Sequence, residues 1–207
     1  MAFFAPVSSI NKPPLGAGFR FPEPPPNPWQ SLTQKEVYRN NWIAVEDHAV
    51  LDAAGREGVY GVVRFHNRAL GIVAIDDDEL IMVGQWRYPF GAYSWEIPAG
   101  GGEPGQSSLS AAQRELQEET GYTAKRWTTL QTLQLSNSAT DELGHIYLAE
   151  GLTPGPASPT PDEQLRIVRV PLDDAFALLH GGELIDSLTV VGLLALENGL
   201  LRGTLSR

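Results

Sequence analysis

One segment constrains this chain more than any other, a helix whose start and stop are both written in the residues. Ser107 and Ser108 can each cap its start, a helical pattern runs to Thr120, and Gly121 stands where a left-handed residue closes a helix. The texture around it is β. Residues 42–46 and 48–51 read as short strands beginning from Val37, ended by Asp52-Ala53-Ala54-Gly55. Residues 59–65 and 69–75 follow, then a turn at Asp76-Asp77-Asp78 into 80–83, a hairpin pattern. Residues 89–105, punctuated by Gly and Pro, read as irregular. Strands are expected at 130–135, 145–149 and 165–170, a Pro/acid loop at 154–163, and helices at 173–180 and 187–197. A mixed sheet with helices packed on it, α+β in type, is the expected fold.

The N-terminal end obeys a different rule. Eight of the 16 prolines fall before residue 29, including Pro24-Pro25-Pro26, and such a stretch joins neither a helix nor a central strand. Residues 1–34 are therefore expected to form a proline-rich arm, with Phe19, Phe21 and Trp29 arguing against a fully solvated tail. At 207 residues the rest suits one domain with appendages, long enough to bury a core without staples.

Charge and cysteine content exclude whole classes. With no cysteine there is no disulfide scaffold, thiolate metal site or thiol nucleophile. A formal net charge of -10 makes the chain a poor holder of nucleic acid, so no nucleic-acid partner is expected. No apolar run is long enough to span a membrane, and Met1-Ala2-Phe3-Phe4 lacks a basic leader, so neither membrane nor secretion is expected, leaving the cytoplasm. A chain this acidic binds an anion only where an Arg cluster, a helix N-terminus or grouped carboxylates with divalent cations reverse the sign.

The helix offers such a group. Glu115 lies three residues before Glu118 and four before Glu119, so the three carboxylates share one face, while Leu109, Ala112 and Leu116 lie on another, toward the core. A plain solvated face, with Arg114 paired to Glu118, would explain the charges alone. Against it stand the weaker Arg-before-Glu orientation and the Pro98-Ala99-Gly100-Gly101-Gly102 turn just upstream, whose carbonyls, like carboxylates, suit hard divalent cations.

From Gly100 to Tyr122 the pattern is a Gly, five residues, position 106, seven residues, then Arg114-Glu115-Leu116-x-Glu118-Glu119-x-Gly121-Tyr122. This resembles the signature of the Nudix hydrolases. The approach, Gln85-Trp86-Arg87-Tyr88-Pro89 and then Ser94-Trp95-Glu96-Ile97-Pro98, is similar to that of their ADP-ribose and nucleoside-diphosphate-sugar branch. The signature departs at position 106, where Gln106 replaces a Glu and removes one negative charge, with Glu103 in the same turn as a substitute.

The resemblance implies a Nudix-type α/β/α sandwich over residues 67–207 and a small antiparallel β subdomain over 35–66, which in relatives exchanges between two subunits. It also implies hydrolysis of a diphosphate bond with Mg²⁺, or Mn²⁺ in its place. Carried over residue by residue, Glu115, Glu119 and the Ala99 carbonyl become metal ligands, and Glu118 either a ligand or the holder of Arg114. In that branch the water-activating base lies on a loop after the signature, which makes Glu163 the first candidate, Asp162 the second, and Asp141 or Glu142 an alternative.

Arg87 is the candidate phosphate ligand, with Glu96 beside it in the candidate substrate-binding set, or it is simply the ion-pair partner of Glu96, because a guanidinium forks equally well onto either. Trp42 is a candidate to stack on a nucleobase, or a core residue. The four histidines show no ligand spacing. Asn137 stands where ADP-ribose hydrolases often carry proline, so the implied substrates are ADP-ribose, ADP-sugars and GDP-sugars alike. The expected products are a nucleoside monophosphate and a sugar phosphate. The alternative function is a catalytically weakened nucleotide-binding or sensor protein on the same fold. A homodimer is expected, because the short strands of 37–65 would otherwise leave open edges.

Overall fold

A computed structural model describes residues 20–102, 105–158 and 164–206. Two sheets form. The smaller is antiparallel, in the order β1 (Gln30–Arg39), β2 (Ile43–Leu51), β3 (Glu57–Phe65). Its turns are set by side chains that accept from the backbone. Asn40 Oδ1 takes the Trp42 and Ile43 amides at 2.8 Å each, and Asp52 Oδ1 takes those of Ala54 and Arg56 at 2.8 and 3.0 Å.

The larger sheet is mixed, in the order β10 (Arg166–Pro171), β5 (Glu79–Arg87), β4 (Arg68–Asp76), β9 (Leu143–Pro154), β8 (Tyr122–Gln134), with β4 and β9 parallel. Short strands β6 (Ala92–Glu96) and β7 (Ala99–Gly102) add to β5 and β4. The β4–β5 hairpin turns on Asp77 and Asp78, both with positive φ (49° and 67°), which suits the right-handed twist of the flanking strands.

Alternation along the central strands divides the core into two layers. Leu70, Ile72, Ala74, Ile81 and Tyr147 pack under α1 (Ser108–Thr120). Val73, Leu80, Met82, Ile146 and Leu148 face α2 (Leu172–His180) and α3 (Ser187–Leu201) on the other side. The result is the α/β/α sandwich with a separate N-terminal antiparallel sheet. α3 sits close because residue 192 is glycine: a Cβ there would lie 2.9 Å from Val73 Cγ2. None of the helices among the described residues is long and apolar enough to cross a membrane.

The N-terminal sheet is stapled to the body through the loop before β9. The Val63 amide donates to Ala139 O at 2.9 Å, Asp141 N to Val63 O at 3.3 Å, and Phe65 N to Asp141 Oδ1 at 2.9 Å. The Tyr60 hydroxyl donates to Ser138 O, and Arg64 reaches Asp141.

Several elements differ from the sequence reading. β1 begins at Gln30, so it crosses the boundary drawn at residue 34; its residues are all exposed and give no burial pattern to read. The two runs at 42–46 and 48–51 form the single strand β2, which carries Asp47 on its exposed side between buried Ala44 and His48. Residues 89–105 contain β6 and also β7, whose glycine-rich sequence only a neighbouring strand makes extended. Leu109, expected in the core, is 38% exposed, while Ala111 joins Ala112 and Leu116 as fully buried.

Candidate active site

The site forms where α1 crosses β7. Ser107 caps the helix, its Oγ accepting the Ser110 amide at 3.1 Å. At the other end Gly121 takes φ 77° and its amide donates to Gln117 O at 2.8 Å. A Cβ at 121 would stand 2.3 Å from Gly155 O, because the chain leaving β9 packs onto the helix end, with Ser158 N donating to Glu118 O at 2.9 Å.

Gly100 is cut to fit the carboxylate above it. A Cβ there would lie 2.1 Å from Glu115 Cδ, so Glu115 lies directly on the backbone of β7. Burial raises the Glu115 pKa, Arg114 works against that rise, and Glu118 adds repulsion. Glu119, only 2% exposed, accepts the Ala99 amide on Oε2 at 3.0 Å.

Arg114 threads the cluster. Its Nη2 donates to Gly101 O at 3.0 Å and to Glu115 Oε1 at 2.7 Å, and its Nη1 to Glu118. Burial opposes the Arg114 charge, but Glu115 and Glu118 together hold its pKa above the ordinary arginine value. The i,i+4 pairing with Glu118 is thus present, within a group that also holds Glu115 and a backbone carbonyl.

Beside this corner, Arg87 donates from Nε to Glu96 Oε1 at 2.9 Å and from Nη2 to Glu96 Oε2, a forked pair around a carboxylate 1% exposed. The Glu96 bond, followed by the charges of Asp186 and Glu119, raises the Arg87 pKa against burial. Arg87 therefore shares one electrostatic neighbourhood with Glu119. Carboxylates outnumber guanidinium groups throughout it.

The structure brings together Ala99, Glu115, Glu118, Glu119, Arg87 and Glu96. It keeps Trp42 elsewhere: that side chain is 66% exposed on the N-terminal sheet, at the β1–β2 turn, not in the core. Glu163, Asp162 and Glu103 lie outside the described residues. Asp141 is engaged by Phe65 and Arg64, while Glu142 is half-buried, its pKa raised by burial and by the neighbouring Asp141 charge. Gln106 lies half-buried in the turn before α1.

The sequence reading missed Thr189 of α3, whose Oγ1 accepts the Ile97 amide beside the site, and Asp186, the cap of α3, which accepts from Thr189. The capping pattern at Asp186 is legible, but nothing in the chain pairs residue 189 with residue 97.

Among the described residues, no three acidic or imidazole side chains converge as a ready metal site. The donor chemistry nevertheless fits a hard dication: carboxylate and carbonyl oxygens only, with a glycine cradle holding Glu115 against β7.

The NUDIX domain family model matches residues 65–188. An ADP-ribose pyrophosphatase of Bacillus subtilis (strain 168) is 36% identical over 171 residues, 81% of this chain and 92% of that protein. The ADP compounds hydrolase NudE of Escherichia coli (strain K12) is 32% identical over 172 residues, 82% of this chain and 91% of that protein. A crystal structure of an ADP compounds hydrolase superposes with a TM-score of 0.77 at 28% identity, covering 85% of this chain and 95% of the other. Carboxylates seated on a glycine turn by a signature helix, on a fold shared across most of these chains, make the protein a member of the Nudix family of pyrophosphohydrolases.

Proposed function

We propose that this chain hydrolyses the diphosphate bond of a nucleoside diphosphate joined to a sugar, ADP-ribose or a nucleotide sugar. The products are a nucleoside monophosphate and a sugar phosphate. The observation that carries this reading is the pairing of Glu115 on Gly100 with Glu119 on Ala99, two carboxylates pressed onto one backbone corner. Names of relatives covering most of their length, an ADP-ribose pyrophosphatase and an ADP compounds hydrolase, support the substrate class.

Glu115, Glu119 and the Ala99 carbonyl would hold Mg²⁺, or Mn²⁺ in its place, with Glu118 at their edge. A bound dication neutralises phosphoryl oxygens and lowers the pKa of a water, which is what a protein of net charge -10 needs to receive an anionic diphosphate. Glu118 holds Arg114, which also donates to Glu115 Oε1. Glu96 engages Nε and Nη2 of Arg87, so the guanidinium presents its Nη1 edge to a phosphate oxygen. Glu163 is the proposed base that takes the proton of the attacking water, Asp162 the second choice, and Asp141 or Glu142 the alternative. Trp42, standing clear on its own sheet, stacks on the base if a second subunit brings it to the site. That arrangement requires a homodimer, which light scattering measures; a concentration-independent monomer would contradict it. The cytoplasm is the proposed compartment.

The deciding experiment incubates the protein with ADP-ribose, ADP-glucose and GDP-mannose with and without Mg²⁺ and measures monoester phosphate. Release from at least one, abolished by chelation, is expected. Binding without release from any would replace the enzyme reading by the sensor reading.

A further inference from the structure

The corner that carries Ala99 is held from behind by a helix that contributes no carboxylate to the proposed ligands. Thr189, on the first turn of α3, is 0% exposed, and its Oγ1 accepts the Ile97 amide at 3.0 Å. The same hydroxyl donates to Asp186 Oδ2 at 2.8 Å, and that oxygen also accepts the Thr189 amide at 2.8 Å. Asp186 thereby fixes the direction of the hydroxyl proton and leaves an Oγ1 lone pair aimed at Ile97.

The three residues that follow one another are each tied to a different element. Ile97 N–H goes to α3, Pro98 O accepts Ile72 N of β4 at 2.8 Å, and Ala99 N–H goes to Glu119 of α1. Close packing leaves little slack for α3 to move independently. A Cβ on Gly71 would lie 3.0 Å from Ile97 Cδ1 and 3.2 Å from Leu188 Cβ. Among the described residues, the bond from Ile97 N–H to Thr189 is the one directional bond that sets the corner from the α3 side, and a buried amide that loses such a bond seeks another acceptor.

We infer that Thr189, oriented by Asp186, is a positioning residue for the metal corner: it holds the Ile97–Ala99 turn where the Ala99 carbonyl and the Glu119 carboxylate can address one cation. The inference rests on the proposed metal role of Ala99 and Glu119, and its test separates the two. Binding of Mn²⁺ to the whole protein is measured by calorimetry without substrate, on the parent and on Thr189→Val, Thr189→Ala and Thr189→Ser.

If the parent binds no Mn²⁺, the metal reading itself fails. With the parent binding, Thr189→Val, which keeps the shape and removes the hydroxyl, is expected to weaken Mn²⁺ on the order of tenfold, as loss of a support behind a ligand does. Thr189→Ser, which keeps the hydroxyl, should bind within about twofold of the parent on the same reasoning. Thr189→Ala serves as the hydroxyl-free variant should Thr189→Val not fold. At saturating metal, kcat should recover to near the parent value. A hydroxyl-free variant with lowered Tm but unchanged Mn²⁺ affinity overturns the assignment, as does a serine variant as weak as the valine one.

Discussion

Replacing Gly100 with alanine should separate stability from activity. The added Cβ would meet Glu115 Cδ at 2.1 Å and its oxygens at 2.4 and 2.5 Å, against an ordinary contact of 3.4 Å or more. The carboxylate must therefore retreat by about 1.3 Å, since repulsion at such range is prohibitive. It can do so because it is the end of a flexible side chain, and Gly100 has no positive φ to forbid alanine.

Retreat weakens the 2.7 Å contact from Arg114, a loss of about 1–2 kcal/mol for a partly buried charged bond. Relief of the carboxylate's burial, with roughly 0.4–1 kcal/mol from a less flexible unfolded chain, offsets most of it. The net change should be about 1 kcal/mol or less, a few degrees in Tm for a chain of this size. Catalysis has no such offset: a ligand misplaced by about 1 Å costs on the order of a hundredfold in rate, roughly 2.7 kcal/mol of barrier.

Gly101→Ala is the internal control, because its Cβ would meet only Asn67, at 3.4 Å. Thermal melts and kcat/KM on the substrate found by the screen decide the matter. Gly100→Ala keeping activity within about threefold of the parent, or losing no more than Gly101→Ala, would refute the steric argument.

Three further outcomes are expected. Glu119→Gln keeps an acceptor for the Ala99 amide, so Tm should hold while turnover falls about a thousandfold with the lost charge; a fall under tenfold would remove Glu119 from the ligand set. Gly121→Ala forces a left-handed φ and a backbone clash with Gly155 O, so urea melts should show a loss of about 2–4 kcal/mol, and an unchanged midpoint would contradict it. Hydrogen bonding from His48, helped by Arg64 and opposed by burial, holds the Glu46 carboxyl below its ordinary pKa. A depressed carboxylate contributes stability that is present above its unfolded pKa and lost as pH falls through the folded one. Glu46→Gln should therefore cost stability at neutral pH and progressively less as pH falls through the folded pKa, and a cost that persists in acid would show that packing, not charge, is at stake.

The linear chain determined what is local. Capping at Ser107, the stop at Gly121 and the three-and-four spacing of Glu115, Glu118 and Glu119 are properties of one helix, and all are legible without a neighbour. So is the aspartate turn between β4 and β5, because a two-residue hairpin carries its own chemistry.

Tertiary structure decided everything that depends on a partner distant in sequence. β1 buries none of its residues and exists because β2 pairs with it, so no period announces it. The glycine-rich β7 is a strand only because β4 lies alongside. Whether Arg87 met a ligand or Glu96 could not be read from nine residues of separation; the structure has it fork onto Glu96 with one edge left over. The need for glycine at 100 and the reach of Thr189 to Ile97 are likewise distances across the fold. Such distances are fixed by how helices seat on a sheet, and residue spacing along a chain does not encode them.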